Sequence, residues 1–277
     1  MTGVLISAAE LRDRLGRGER PAILDVRWRL DQPDGRDAFA GGHIPGAVYV
    51  SLEDELSDHS VTGCGRHPLP PGARLQDALR GWGVNSGQPV VVYDDWNRAG
   101  SARAWWVLSA AGLTDVRILD GGVTAWRAAG GELVSGAEKV PAGDVTVVHP
   151  DLYNGARATL TAEEVAAGSV GTLVDARAPE RFRGEVEPVD PIAGHIPGAV
   201  NVPSTSVLDA EGRFLVGAAL RSALAGLDGD VGVYCGSGVT AAVVLAALSA
   251  IGVDGALFPG SWSQWSGEPG REVGTGD

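Results

Sequence analysis

Two cysteines in 277 residues, Cys64 and Cys235, are too few for a disulfide framework or a four-ligand metal site. Lysine is scarcer still. Lys139 is the only one, so Schiff-base chemistry would rest on a single residue in a loop-like stretch. No run approaches the roughly 18 consecutive apolar residues that span a bilayer. The segment Met1-Thr2-Gly3-Val4-Leu5-Ile6-Ser7 has no basic region leading into an apolar core, so no secretory signal is expected and the location is expected to be cytoplasmic. Positive charge is also in deficit: the net charge of −13 offers no sign-matched surface to nucleic acid or an anionic membrane. An anionic substrate would have to be drawn in by local N–H groups and arginines. The five histidines, His43, His59, His67, His149 and His195, show no ligand spacing beside a second donor, and no glycine-rich nucleotide fingerprint stands in the right context. Neither a metal nor a cofactor is expected.

What is present is a soluble globular composition, 44% apolar and 21% charged, written twice. Leu24-Asp25-Val26-Arg27 answers to Val174-Asp175-Ala176-Arg177, and Gly42-His43-Ile44-Pro45-Gly46-Ala47-Val48 recurs letter for letter as Gly194 to Val200. Val91-Val92-Tyr93-Asp94 answers to Gly232-Val233-Tyr234-Cys235. The offsets are 150, 152 and 141 residues, so the halves are related but carry different insertions. Each half opens on a helix-start signature, Ser7 with Glu10 and Thr161 with Glu164.

Short apolar runs read as strands at 22–26, 48–50, 90–93 and 116–119, with counterparts at 172–176, 200–202, 231–234 and 256–258. Helical stretches at 101–111 and 239–251 lie between the later strands. Continuous apolar strands alternating with helices predict α/β domains, each a mainly parallel sheet with helices on both faces. The expected division is a first domain over 1–133, a connection over 134–158 rich in turn residues, and a second domain over 159–277.

Cys235 stands where an apolar strand gives way to Gly236-Ser237-Gly238-Val239-Thr240-Ala241 and then to an almost wholly apolar helix. Ligands bind beyond the carboxyl ends of the strands in such folds. A strand-to-helix turn aims unpaired N–H groups and the positive end of the helix dipole at that point. Glycines at 236 and 238 permit positive φ, which would let the loop curl into an anion-binding nest around a thiolate. The alternative is a buried, inert cysteine. Cys64, in the loop-like run Val61-Thr62-Gly63-Cys64-Gly65, reads as an incidental free thiol.

The paired His-Ile-Pro-Gly-Ala motifs, Asp175-Ala176-Arg177 with Arg181-Phe182-Arg183-Gly184, the Cys235 to Ala241 loop and Gly260-Ser261-Trp262 together resemble the two-domain rhodanese family of sulfurtransferases over nearly the whole chain. That resemblance implies two tandem rhodanese-like domains, with a persulfide carried on Cys235 and a silent first domain, where Asp94 replaces the cysteine. The sequence Cys-Gly-Ser-Gly-Val-Thr is similar to the 3-mercaptopyruvate sulfurtransferases, and implies that Ser237 is grouped with His43 and Asp37. It implies that Arg181 and the loop residues Gly236, Gly238, Val239, Thr240 and Ala241 bind the anionic donor. A second substrate arginine, usual in that subfamily, is replaced by Val189 within Glu187-Pro188-Val189-Asp190. The donor expected is 3-mercaptopyruvate or thiosulfate, and the acceptor cyanide, a dithiol or thioredoxin.

Alternatives remain at several positions. His43 also reads as a turn histidine, since His195 shares its motif, and Arg181 as a surface ion pair with Glu180 or Glu185. A phosphatase loop needs an arginine six places after the cysteine, where this chain has Ala241. A thiosulfate-preferring enzyme and a non-catalytic sulfur-carrier or binding module are the remaining readings.

Overall fold

In runs such as Ala22-Ile23-Leu24-Asp25, Val90 to Tyr93 and Val231 to Tyr234, every residue is buried although successive side chains point to opposite faces. Each sheet is therefore covered on both faces, the condition under which parallel strands are stable. The computed structural model describes residues 3–136 and 139–277, so the predicted connection 134–158 includes two residues, 137 and 138, outside the described set. The chain forms two compact units. One takes the chain through Ser57, then Leu69–Arg157 and Ala210–Arg213; the other takes Asp58–Pro68, Ala158–Asp209 and Phe214–Asp277. The boundary near Arg157 falls at the end of the predicted connection. The sequence reading put Asp58–Pro68 in the first domain, but it packs with the second.

In the first unit the strands β1 (Leu5–Ile6), β2 (Ala22–Asp25), β3 (Ala47–Tyr49), β4 (Val90–Tyr93) and β5 (Val116–Leu119) form a parallel sheet of order β1-β5-β4-β2-β3. In the second, β6 (Thr172–Asp175), β7 (Val200–Asn201), β8 (Val231–Tyr234) and β9 (Gly255–Leu257) form a parallel sheet of order β7-β6-β8-β9. The predicted strands are in place with ends moved by at most one residue. β1 was not foreseen, because two residues carry no readable period and its pairing with β5 is long-range. Helices Ala99–Ala110 and Ala241–Ala250 follow β4 and β8 and are buried almost all round, which is why the second is apolar nearly throughout and the first mostly so, with Ser101 and Arg103 buried among its apolar residues. The helix signatures hold: Ser7 accepts from the Glu10 amide, and Thr161 with Glu164 closes a reciprocal capping box.

The repeated motifs do the same structural work in both units. After β2, the Arg27 guanidinium donates to both Asp25 oxygens and to Gly42 O at 2.6 Å; after β6, Arg177 does the same with Asp175 and Gly194 O, again at 2.6 Å. The amides of Ile44 and Ile196 each donate to a strand tyrosine, Tyr93 and Tyr234, at 3.1 Å. His43 stacks on Phe39 with ring centroids 3.9 Å apart, and His195 on Phe182 at 3.8 Å. Both histidines use Nδ1 on the carbonyl of the stacked phenylalanine. Burial pushes the Asp25 carboxyl up to about 6 against the pull of Arg27.

Candidate active site

β8 ends at Tyr234 and its helix begins at Ala241, which leaves Cys235 to Thr240 as a six-residue loop at the carboxyl edge of the second sheet. Three bonds fix the loop to the helix Ser261–Trp265. The Cys235 amide donates to Ser261 Oγ (3.1 Å), Trp262 N donates to Cys235 O (3.0 Å) and Ser263 N donates to Gly236 O (2.9 Å). Gly238 takes φ 76°, which turns the chain into the helix without the steric cost another residue would bear. Among the described residues, the amides of Gly236, Ser237, Val239, Thr240 and Ala241 donate to no acceptor of the chain, and Thr240 gives the helix no side-chain cap. Several donors at one strand-to-helix junction thus remain unspent, the arrangement that receives an anion. Cys235 is a free thiol, 1% exposed, at the start of that loop.

Three side chains from elsewhere in the same unit converge on it. His67 Nδ1 and Ser237 Oγ form a hydrogen bond of 2.7 Å between two buried groups. Arg66 places Nη1 2.6 Å from Asp190 Oδ1, while its amide donates to Ser263 Oγ at 2.9 Å. Arg181 donates through Nε and Nη2 to Glu187, at 3.2 and 2.6 Å, and reaches Asp190 at 3.4 Å. Burial works to raise the Glu187 carboxyl, but hydrogen bonds from Arg181 and from the Asp190 and Val189 amides outweigh it and hold the group below the usual carboxylate range. A Cβ built on Gly236 would lie 3.4 Å from Arg66 Nη2 and 3.6 Å from Arg181 Nη1, so both guanidiniums border the residue after the cysteine. Gly65 lets the segment Asp58–Pro68 come this close, because a side chain there would run into the Gly260 carbonyl.

The sequence-predicted residues divide accordingly. Cys235, Gly236, Ser237, Gly238, Val239, Thr240, Ala241 and Arg181 all lie in the second unit, on or beside the loop. Gly236 does not use positive φ, contrary to expectation; its lack of a side chain instead leaves room under the two arginines. Arg181 pairs with Glu187 and Asp190 rather than with Glu180 or Glu185. His43 and Asp37, expected beside Ser237, belong to the first unit, and Ser237 to the second. The partner of Ser237 is His67, while His43 is held in the first unit by Phe39, as His195 is by Phe182 in the second. Asp37 is exposed in the first turn of the short helix Arg36–Gly41.

In the first unit, the loop at the Cys235 position fills itself. The Asp94 carboxylate accepts from the amides of Trp96 (3.2 Å) and Ser101 (3.0 Å) and from Ser101 Oγ (2.7 Å), and pairs with Arg98 Nη2 at 2.8 Å. A tethered anion occupies the nest.

His67 and Arg66 were missed by sequence reasoning, although a signal existed. The offset between the halves falls from 152 residues at His43/His195 to 141 at Tyr93/Tyr234, and the difference of 11 is the length of the segment Asp58–Pro68. An insertion unique to one half is a better place for chemistry than a histidine found in both.

A profile of the rhodanese-like domain matches residues 7–129 and 158–268. The Mycobacterium tuberculosis protein SseB, which carries a provisional thiosulfate sulfurtransferase name, is 63% identical over 99% of this chain and 97% of its own. The 3-mercaptopyruvate sulfurtransferase of Escherichia coli K12 is 36% identical over 88% of both chains. The crystal structure of Escherichia coli SseA, described as a 3-mercaptopyruvate sulfotransferase, superposes with a TM-score of 0.82 at 33% identity, covering 95% of this chain and all of that one.

Proposed function

Because the chain belongs to the rhodanese family, with one copy of the domain in each half, we propose that it is a sulfurtransferase that moves the sulfur of 3-mercaptopyruvate, as a sulfane sulfur on Cys235, to a thiophilic acceptor. The observation that carries this reading is the loop after Cys235, with its unspent amides and its Ser237–His67 pair. The Cys235 thiolate attacks the donor sulfur, the S–S bond forms and the C–S bond breaks. The bonding pair leaves on carbon as the enolate of pyruvate. Ser237, backed by His67, hydrogen-bonds that enolate as it forms, and the proton of the donor's thiol ends on the pyruvate methyl group, so that a persulfide anion remains on Cys235. The loop amides meet first the thiolate and then the persulfide without rearranging. Cyanide then takes the outer sulfur as thiocyanate and restores the thiolate; a dithiol or thioredoxin does so reductively. The sulfur is held on the protein itself, so the cycle calls for no cofactor. A reactive thiol that must stay reduced fits a cytoplasmic location.

Thiosulfate is the second reading, favoured by the name of the 63% identical relative. With thiosulfate the leaving group is sulfite, which departs as a stable anion and asks nothing of Ser237. Intact-protein and peptide mass spectrometry after donor treatment is expected to show one added sulfur on the Cys235 peptide, absent in Cys235→Ser. A modified protein with an untouched Cys235 peptide overturns the assignment. A ratio of kcat/KM above one for 3-mercaptopyruvate over thiosulfate supports the first reading, and a clear excess for thiosulfate supports the second.

A further inference from the structure

Arg66 spends only one of its faces on the protein. Its Nη1 pairs with Asp190. Its Nε is buried with no acceptor among the described residues, and no bond is made by Nη2, which shares an edge of the guanidinium plane with Nε. That edge is a two-pronged donor of the kind that grips a carboxylate or a sulfonate. It borders the site: Nη2 is the atom nearest to where a Gly236 side chain would begin, and the free Nη1 of Arg181 is next. Asp190 and Glu187 anchor both arginines from behind, each guanidinium keeping donors for something that the chain does not supply. Both sets of donors border Gly236, the residue next to Cys235.

Resting on the sulfurtransferase reading, we propose that Arg66 is a substrate-binding residue that grips the acidic headgroup of the sulfur donor together with Arg181. Val189 supplies no cation from the 187–190 turn; Arg66 brings one in from a distant part of the sequence, onto the carboxylate of Asp190 just beyond it. The Nε/Nη2 edge of Arg66 and the Nη1 of Arg181 take the carboxylate of a 3-mercapto-2-oxo acid, or the sulfonate end of thiosulfate. The donor's sulfur is thereby directed to Cys235. Arg66 thus sets the preference for anionic over neutral donors.

The test compares 3-mercaptopyruvate with its methyl ester, and thiosulfate, on the full-length wild type, Arg66→Gln and Arg66→Lys. Folding is checked by thermal melting. Expected for Arg66→Gln is a KM for 3-mercaptopyruvate raised about 10- to 100-fold, with kcat changed less. The advantage of the acid over the ester in kcat/KM should shrink by a similar factor, and the Cys235 peptide should still gain sulfur at saturating donor. Arg66→Lys, which keeps the charge and loses the fork, should fall between. A structural role alone would weaken acid and ester alike, so an unchanged acid-to-ester ratio in both variants overturns the proposal. A wild type that gains no sulfur on Cys235 from any donor overturns the sulfurtransferase reading itself, an outcome distinct from a wild type that loads and a variant that binds as well.

Discussion

Replacing His67 with alanine removes the group 2.7 Å from Ser237 Oγ and leaves a buried hydroxyl without its partner. Positioned acid–base assistance is worth about 10²- to 10⁴-fold. The low end applies here, because Ser237 keeps its own hydroxyl to offer the enolate. The expected loss in kcat for pyruvate formation from 3-mercaptopyruvate is therefore about 100-fold, about 2.7 kcal/mol of transition-state stabilisation. Thiosulfate is the internal control: sulfite needs no proton on leaving, so kcat for thiocyanate formation from thiosulfate and cyanide should stay within about threefold. His43→Ala is the companion variant. It forfeits the stack on Phe39 and the bond to its carbonyl, and should lower stability by about 1–3 kcal/mol with little effect on turnover of either donor. Steady-state kinetics with both donors, with urea melts alongside, separates the cases. Equal losses on both donors in His67→Ala would refute the leaving-group role. Full activity there, combined with a dead but folded His43→Ala, would refute the pairing altogether.

Gly236→Ala places a methyl group 3.4 Å from Arg66 Nη2 and 3.6 Å from Arg181 Nη1. The protein should fold within about 1 kcal/mol of wild type while KM for anionic donors rises about tenfold; an unchanged KM would show that the headgroup lies elsewhere. Asp94→Ala strips the buried Arg98 of its counter-charge and should cost about 3–5 kcal/mol in urea unfolding, with a loss below about 1 kcal/mol counting against the self-filled nest. The folded Asp25 carboxyl stands at about 6, above an unfolded value of about 3.9. Its contribution to stability is therefore present below about pH 4 and lost as pH rises through about 6. Thermal melts across that window should slope less for Asp25→Asn than for wild type, and parallel slopes would contradict the assignment.

The sheet strands, the two buried helices and the cysteine loop were legible because each rests on a local pattern: a short apolar run, a capping pair, a glycine beside a thiol. Arg181 was legible through its motif, although its partners Glu187 and Asp190 were not, since a turn brings them round from six and nine residues on. His67 and Arg66 were not read because their placement is a tertiary fact. Nothing within Val61 to Leu69 signals that it packs with residues 170 positions later. His43 is the opposite case: its motif is locally vivid, and the identical setting of His195 shows that the motif builds a turn clamp in both halves.

The eleven residues Asp58–Pro68 also constrain how such a protein can evolve. Duplication ordinarily leaves a spare copy free to decay or be discarded. Here the first half has Asp94 where the second has Cys235, yet it carries in its reading frame the imidazole that bonds Ser237. Deletion of the first half would strand Ser237 without that imidazole, so selection on the half that holds Cys235 is enough to preserve both.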